Sequence, residues 1–213
     1  MSVDSQAQAP KDAAEIAAKV RARFPEAVLS GTSFRGEETL SLKLDALHEV
    51  AKFCRDGLDF DYLVDISSLD HLGEDPRFEL VYELYAMETG VHLRLKALIP
   101  GDVDPVGPSV TDLWPTADWH EREIYDMMGI RFDGHPNLCR ILMWEGYPFH
   151  PLRKDFPLEG KPSEVAEVAF TAAAPLAGGP FVTVPTNGIT DVREPRARRA
   201  GDEPPPGKFL AES

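Results

Sequence analysis

The chain has 213 residues, of which 36 are acidic and 22 are basic, so its formal net charge is −14. This length suits one domain with an appendage. The hydrophobic fraction of 43% is typical of a folded protein rather than a disordered one. The sequence holds no apolar run long enough to span a bilayer and no pattern of a secretory signal at its start. The excess of acids disfavours binding to phosphate backbones and to anionic lipids.

The acidic residues are concentrated in the first part of the chain. Residues 1–119 carry 22 acids and 11 bases, whereas residues 120–160 carry seven acids and five bases. Residues 161–213 are nearly neutral and hold eight prolines, which predicts an extended tail. We therefore expect a disordered start over residues 1–10, an acidic domain over 11–119, a distinct segment over 120–160 and the tail.

Two helices are predicted in the acidic domain from apolar residues that recur at intervals of three and four. The first covers residues 11–24 and ends before Pro25. The second is capped by Asp45, buries a face that includes Cys54, and ends at Gly57. Each helix therefore has one face for burial against another layer.

Alternating apolar and polar residues predict several strands in the same domain. Short strands are predicted at residues 27–29 and 40–44, with Gly31 and Gly36 bracketing the turn between them. A further strand is predicted to place four side chains on its inner face: Phe60, Tyr62, Val64 and Ile66.

A β-hairpin is the clearest element of the sequence. Apolar residues alternate along residues 78–84 and again along residues 91–99. A two-residue turn at 89–90 would place Glu83 directly opposite Lys96 and would bring the apolar residues of both strands onto one face. Together with the two helices, this predicts an α+β fold, a two-layer domain with helices on one face of a mixed β-sheet.

The part of the chain after the hairpin changes in character. Residues 100–108 are predicted as a loop, followed by a helix that Thr116 or Asp118 caps and that Gly129 ends. Residues 131–157 contain four prolines and five aromatic residues without a regular period. A segment that is apolar but irregular often packs on a partner.

Residue patterns of known catalytic and metal sites are weak in this chain. The sequence has no glycine-rich phosphate-binding motif and no nucleophile elbow, and two cysteines are too few for a four-thiolate iron–sulfur cluster. Cys139 is better explained as a packing residue than as a thiolate. A metal site would have to use ligands whose spacing fits no zinc pattern: His120, Glu121, Glu123, His135, Cys139 and His150.

Charged residues near the end of this region suit two interpretations. Arg153, Lys154 and Asp155 stand beside Phe156 in a loop bounded by prolines. Such a group fits a docking element with a bidentate arginine contact, and it fits an exposed loop with incidental charges equally well.

A resemblance to one family covers about forty residues and decides between these interpretations. The matching residues form an ordered series: Trp119 to Ile130, Phe132, Gly134-His135-Pro136, Arg140-Ile141-Leu142 and His150 to Leu158. This series resembles the signature of the 30-kDa subunit of proton-translocating NADH–quinone oxidoreductase, or bacterial respiratory complex I. The acidic α+β part that precedes it also fits the family.

The resemblance implies a cofactor-free structural and assembly subunit of the peripheral arm, on the cytoplasmic face of the inner membrane. FMN, the iron–sulfur clusters and the quinone would belong to partner subunits, which transfer electrons from NADH to quinone and couple this to proton translocation. The expected neighbour is the 49-kDa subunit, which shapes the quinone pocket. The residues expected to dock on it are Glu121, Arg122, Glu123, Tyr125, Asp126, His135, Pro136, Arg140, His150, Pro151, Arg153, Lys154, Asp155 and Phe156.

The chain departs from the family pattern in three places, and two rival functions stay open. Phe149 stands where a glycine is common, Cys139 stands where a polar residue is common, and the tail lacks the usual stretch rich in tyrosine and acids. One rival is the equivalent subunit of a membrane-bound hydrogenase or of a formate-linked or ferredoxin-linked complex. The other is a free metal-dependent enzyme that uses His120, His135 and His150.

Overall fold

The computed structural model describes residues 12–144 and 146–157, which contain three helices and seven strands. The helices are α1 (Ala13–Arg23), α2 (Leu47–Leu58) and α3 (Ala117–Met128). The strands are β1 (Val28–Phe34), β2 (Glu37–Leu42), β3 (Tyr62–Asp70), β4 (Phe78–Ala86), β5 (Val91–Ile99), β6 (Val106–Pro108) and β7 (Arg131–Asp133). The predicted disordered start and the predicted tail lie outside the described residues.

A five-stranded mixed sheet forms the framework of the fold. The strands follow the order β1-β2-β5-β4-β3, in which β2 and β5 are parallel and the other neighbours are antiparallel. All three helices contribute buried residues to the one apolar core that the sheet also faces, including Ile16 of α1, Val50 of α2 and Ile124 of α3. The predicted α+β fold is confirmed.

The hairpin of β4 and β5 is confirmed, but its predicted register is wrong by two residues. Ala86 pairs with Val91, so four residues instead of two form the turn, and the N–H of Gly90 donates to the Ala86 carbonyl over 2.8 Å. Glu83 therefore lies opposite Arg94 and contacts it. Lys96 instead reaches Glu79 over 2.9 Å. A shift of two preserves the faces of a strand, so apolar patterning could not separate the two registers.

The inward face of β3 differs from the prediction. Leu63 and Ile66 are buried, whereas Tyr62 and Val64 are exposed. The pairing with β4 shifts between Leu63 and Asp65, where a bulge adds one residue to β3. Because an extra residue reverses the alternation, side chains on either side of the bulge cannot follow one simple pattern.

The ends of the first elements also correct the sequence prediction. Gly31 lies inside β1, and the turn that follows is made by Arg35 and Gly36, both with positive φ. Asp45 does not cap α2, because it lies in a short 3-10 turn that precedes the helix. The helix continues past Gly57 to Leu58, and the residue that follows, Asp59, caps it in the left-handed conformation with a φ of 61°.

The predicted loop over residues 100–108 is wrong at its end, where β6 pairs in parallel with β7. This small sheet joins the segment before α3 to the segment after it. Gly107 of β6 lies so close to the core that a Cβ atom there would be 2.8 Å from Cδ1 of Leu80, a fully buried residue of β4. The backbone approach, and not a special φ, therefore requires glycine at this position.

Replacing Gly107 by alanine should lower the free energy of unfolding by about 1–3 kcal/mol, because the added methyl group overpacks the core against Leu80. Urea unfolding of the full chain, monitored by tryptophan fluorescence, measures this difference. An unchanged midpoint would contradict the close approach of β6 to β4.

Candidate docking site at the end of the third helix

The carboxyl end of α3 organises the segment that follows it, which we call the docking segment, residues 130–157. A helix leaves its last four carbonyl groups without helical partners. In α3 the last helical bond runs from the N–H of Gly129 to the Tyr125 carbonyl over 3.0 Å. The next carbonyl, on Asp126, accepts from Nη1 of Arg140 and from Nδ1 of His150, each over 3.0 Å. The bond from His150 requires the proton to be on Nδ1.

The last two carbonyl groups of α3 also find donors in the docking segment. The Met127 carbonyl accepts from the N–H of Leu152 over 3.1 Å, and the Met128 carbonyl accepts from Nε of Arg153 over 2.6 Å. Cationic groups at this end are favourable because the carbonyl end of a helix carries partial negative charge. Gly129 leaves room for them, since a Cβ there would lie 2.6 Å from Nη2 of Arg153.

The Asp126 carboxylate holds a second part of the docking segment. It is fully buried and accepts from Nη1 of Arg140 over 2.6 Å. Its Oδ2 atom accepts three successive backbone N–H groups, those of Ile141, Leu142 and Met143, over 3.0, 2.7 and 2.9 Å. Burial alone would raise the pKa of Asp126, but these donors outweigh it and lower the pKa. The carboxylate is therefore charged and fully partnered.

A buried arginine attaches the end of the docking segment to the main sheet. Arg77 donates from Nε and Nη2 to the two carboxylate oxygens of Asp70, each over 2.7 Å, and its Nη2 lies 3.1 Å from Asp155. The N–H of Lys154 donates to Asp70 over 2.8 Å. The hydrogen bonds from Arg77 are the main reason why the pKa of Asp70 and that of Asp155 are lowered.

Glu121 lies on the inner side of α3 and differs from Asp126. It is fully buried, and its Oε1 atom accepts from the N–H of Val110 over 2.7 Å. Burial raises the pKa of Glu121 to about 7, and the nearby charges of Asp118 and Asp112 add to this. Glu121 is therefore part of the core rather than of an exposed surface.

The candidate metal ligands lie in separate contacts. His120 is 3.2 Å from Asp65, His135 donates from Nε2 towards the Asp118 carbonyl over 3.3 Å, and His150 binds the end of α3. The prediction that Cys139 is a buried packing residue is wrong: it is exposed, and it accepts from Arg122 through its sulfur and its carbonyl over 3.1 and 3.2 Å. Within residues 12–144 and 146–157, no group of three His, Cys, Asp or Glu side chains is placed to hold a metal ion.

The predicted docking residues thus divide into two groups. Those that make contacts inside the chain are Glu121, Arg122, Asp126, His135, Arg140, His150, Arg153 and Asp155. The others, Glu123, Tyr125, Pro136, Pro151, Lys154 and Phe156, are exposed or half-buried at the surface, although Lys154 is held through its N–H by Asp70 and the ring of Phe156 contacts that of Phe149. Contact with another subunit stays a prediction for both groups.

Three large apolar side chains of this region were not among the predicted docking residues. Trp119, Leu142 and Leu152 are each 61% exposed, although they belong to the motif that carries the resemblance. The backbone N–H groups of Leu142 and Leu152 bind α3, so the backbone from which each side chain projects is held in place. The sequence predicts partner contact for the apolar residues of this irregular segment as a set, but it could not single out Leu142 and Leu152, because nothing regular marks which side of the segment faces outward.

Comparison with known proteins assigns the family. The family model described as "Respiratory-chain NADH dehydrogenase, 30 Kd subunit" matches residues 40–162, which include α2, the strands from β3 to β7, α3 and the docking segment. The chain belongs to this family. The resemblance that the motif indicated is thereby confirmed, and with it the role of an enzyme subunit instead of a free enzyme.

Relatives of the family agree with this assignment. The chain is 46% identical over 146 residues to a NADH-quinone oxidoreductase subunit of Citrifermentans bemidjiense, a match that covers 68% of this chain and 90% of the relative. It is 43% identical over 162 residues to the corresponding subunit of a Roseiflexus species, covering 75% and 90% of the two chains. These matches extend well beyond the short motif.

A solved structure is similar as well. A chain in the structure of the membrane-bound sulfane sulfur reductase, an archaeal respiratory membrane complex, has a TM-score of 0.60 and 27% identity. The match covers 68% of this chain and 85% of that chain. None of the helices in the described ranges is long and apolar enough to cross a membrane.

Replacing Asp126 by asparagine should lower the free energy of unfolding by about 3–5 kcal/mol, because Arg140 would lose its buried partner. The lowered pKa of Asp126 stabilises the fold above the ordinary aspartate pKa, and this contribution is lost as the pH falls through the lower value. Urea unfolding at pH 7 and at pH 3 measures both effects. A variant as stable as the natural chain at pH 7 would contradict the role given to Asp126.

Replacing Glu121 by glutamine should change how stability depends on pH. Folding raises the pKa of Glu121 from 4.5 to about 7, so this side chain stabilises the fold most below pH 4.5, and that contribution to stability is lost as the pH rises to 7. Glutamine keeps an acceptor for the Val110 N–H and cannot ionise. The free energy of unfolding of Glu121→Gln should therefore increase by about 3 kcal/mol relative to the natural chain between pH 5 and pH 8. Glu123→Gln on the exposed side of α3 is the matched control. Parallel stability curves for Glu121→Gln and the natural chain would contradict the buried carboxyl.

Proposed function

We propose that this chain is a non-redox assembly subunit in the peripheral arm of a NADH–quinone oxidoreductase and packs against the 49-kDa subunit. Electron transfer from NADH to quinone and its coupling to proton translocation would belong to other subunits, which would hold FMN, the iron–sulfur clusters and the quinone. Its link to the inner membrane, on the cytoplasmic side, would be indirect. The main support is that hydrogen bonds to α3 and Asp70 hold the docking segment in place, while large apolar side chains of this segment are exposed on its outer surface.

The hydrogen bonds that hold the docking segment to the rest of the chain support the proposal, because they reduce the conformational entropy that is lost on binding. In its described residues, 130–144 and 146–157, the docking segment has only the short strand β7, yet α3 and Asp70 hold residues 140–143 and 150–155 through side-chain and backbone bonds. An interface whose backbone is already ordered loses little conformational entropy when a partner binds. The polar motif residues would therefore act by shaping the surface.

Apolar side chains on the outside supply the contact area. Leu142 and Leu152 are mostly exposed, and burying a leucine side chain stabilises by about 1.5–3 kcal/mol. Trp119 lies under the guanidinium of Arg122, which is 4.9 Å from the ring centroid. Tryptophan and arginine are common among the residues that dominate binding energy at interfaces. Exposed charges such as Lys154 would then set the register at the rim.

The experiment places a charge on this surface in the intact organism. Leu142→Glu and Leu152→Glu should each reduce the amount of assembled oxidoreductase at least about tenfold, since a carboxylate would be buried without a partner. Native gels stained for NADH dehydrogenase activity measure the assembled complex. Leu29→Glu is the matched control, because Leu29 of β1 is also 61% exposed but lies outside α3 and the docking segment.

Fold stability separates a docking defect from a folding defect. The three variants should unfold at the same urea concentration as the natural full chain, because each side chain is mostly in solvent. Normal assembly of both Leu142→Glu and Leu152→Glu would refute the proposed surface. Equal loss of assembly in the Leu29→Glu control would refute its location.

A second candidate is the equivalent subunit of another respiratory membrane complex. It is favoured by the structural similarity to a chain of the archaeal sulfane sulfur reductase complex, at 27% identity. The sequence relatives from NADH-quinone oxidoreductases are more similar, at 46% and 43%. Purification of the complex through a tag on this chain decides the matter: a co-purifying NADH-binding subunit supports the first candidate, and its absence from an intact complex supports the second.

A further inference from the structure

Arg153 of the docking segment is a half-buried arginine without an acidic partner in the described part of the chain. Its hydrogen bond there runs from Nε to the Met128 carbonyl, and none of the carboxylates that the structure places is within ion-pair distance of Nη1 or Nη2. By contrast, Arg77 and Arg140 each bind a buried aspartate. Charged side chains that are withdrawn from water are normally paired, so the two unused Nη atoms require an explanation.

The charges around Arg153 do not compensate for the missing partner. Burial has the largest effect on the pKa of Arg153, which it lowers, and the charge of Arg77 lowers it further. Three aspartates act in the opposite direction, and each of them contacts another arginine: Asp155, Asp70 and Asp104. The described residues therefore hold a cation in surroundings that disfavour its charge, and an additional anion would relieve this.

Contacts within the chain fix the position of the guanidinium. The Met128 carbonyl binds Nε over 2.6 Å, and Cζ lies 5.2 Å from the ring centroid of Phe78. Gly129 leaves space for the side chain, since a Cβ there would lie 2.6 Å from Nη2 of Arg153. With Nε occupied, Nη1 and Nη2 remain as a pair of donors, and such a pair can bind both oxygens of one carboxylate.

We propose that Nη1 and Nη2 of Arg153 bind the carboxylate of a glutamate or aspartate on the subunit against which the docking segment packs. This rests on the proposed function, because that subunit supplies the acid. A carboxylate is the matching group, since it is planar, carries the opposite charge and accepts two parallel hydrogen bonds from an arginine. Arg153 thus contacts the partner directly, in addition to holding the docking segment to α3.

The residue before Arg153 favours a partner subunit over a small anion from solution. Leu152 is 61% exposed, whereas Arg153 is half-buried. A partner that covers Leu152 also removes water from the adjacent guanidinium, and an arginine that loses water without gaining an anion weakens binding. The apolar contact and the ion pair therefore belong to one interface. A phosphate ion on Arg153 would leave Leu152 in water.

Cryo-electron microscopy of the intact oxidoreductase tests the proposal without any variant. The expected result is one glutamate or aspartate of the partner subunit whose carboxylate accepts hydrogen bonds from Nη1 and Nη2 of Arg153. Any other occupant of these two atoms would overturn the proposal, whether it is an acid of this chain, a phosphate group, a backbone carbonyl or water alone.

Replacing Arg153 by lysine in the intact organism should reduce the amount of assembled oxidoreductase at least about tenfold. Lysine keeps the charge but cannot donate two parallel hydrogen bonds to one carboxylate. Arg131→Lys is the matched control, because Arg131 also lies in the docking segment, is exposed and should assemble normally after the change. Native gels stained for NADH dehydrogenase activity measure both variants. Equal assembly of the two variants would overturn the ion pair.

A double-mutant cycle separates a lost ion pair from a weakened fold. The partner's acid, once identified by microscopy, is changed to its amide in the natural background and in Arg153→Lys. The amide should reduce assembly at least about tenfold with Arg153 and less than about threefold with lysine, because the pair is already broken. Equal effects in the two backgrounds would overturn the proposal.

The leucine variants distinguish this proposal from the proposed function. Loss of assembly in Leu142→Glu and Leu152→Glu, together with normal assembly of Arg153→Lys, would refute the ion pair and leave the docking surface in place. Normal assembly of all three variants would refute both.

Discussion

The fold after the sheet depends on the need to satisfy the carbonyl groups at the end of α3. The carbonyls of Asp126, Met127 and Met128 have no partner within the helix and accept from the docking segment, and each would cost about 1–3 kcal/mol if it were buried without a donor. Gly129 turns the chain back with a φ of 71°, and the segment then returns donors to the helix end. The path of residues 130–157 is the one that brings Arg140, His150 and Arg153 to these carbonyls.

This constraint also explains why the described part of the docking segment after β7, residues 134–144 and 146–157, contains no helix or strand. The backbone N–H groups of residues 141–143 are bound by the Asp126 carboxylate, and that of Leu152 is bound by a helix carbonyl. Groups used in this way are not available for a strand ladder. Proline, which has no backbone N–H, is tolerated in this segment because only a few of the segment's N–H groups need to donate hydrogen bonds. Irregularity here is compatible with a fixed conformation, because the bonds run to α3 and to Asp70.

Sequence reasoning succeeded where the determinants are local and failed where they are distant. The end of α3 at Gly129 and the pairing of β4 with β5 follow from residues that are close in the chain. The register of that hairpin could not be predicted in this way. Two registers that differ by two residues bury the same side chains, and each places a cation, Arg94 or Lys96, opposite Glu83. The contact between Asp126 and residues 141–143 spans fifteen or more positions, and no period marks it. The motif was recognised from the sequence. Only the structure shows that its polar side chains point inward to α3 while Leu142 and Leu152 point outward.

Glu121 and Asp126 show how such a partition arises on one helix. They lie five residues apart, both are completely buried, and both carry carboxyl groups. Asp126 receives three backbone N–H groups and a guanidinium, so its pKa falls despite burial. Glu121 receives one backbone N–H and the nearby Ser109 hydroxyl and faces two further acids, so burial dominates and its pKa rises to about 7. The donors around Asp126, which Glu121 lacks, thus keep the pKa of Asp126 low, whereas burial dominates at Glu121. The charged carboxyl holds the docking segment, whereas the other faces the sheet and belongs to the core.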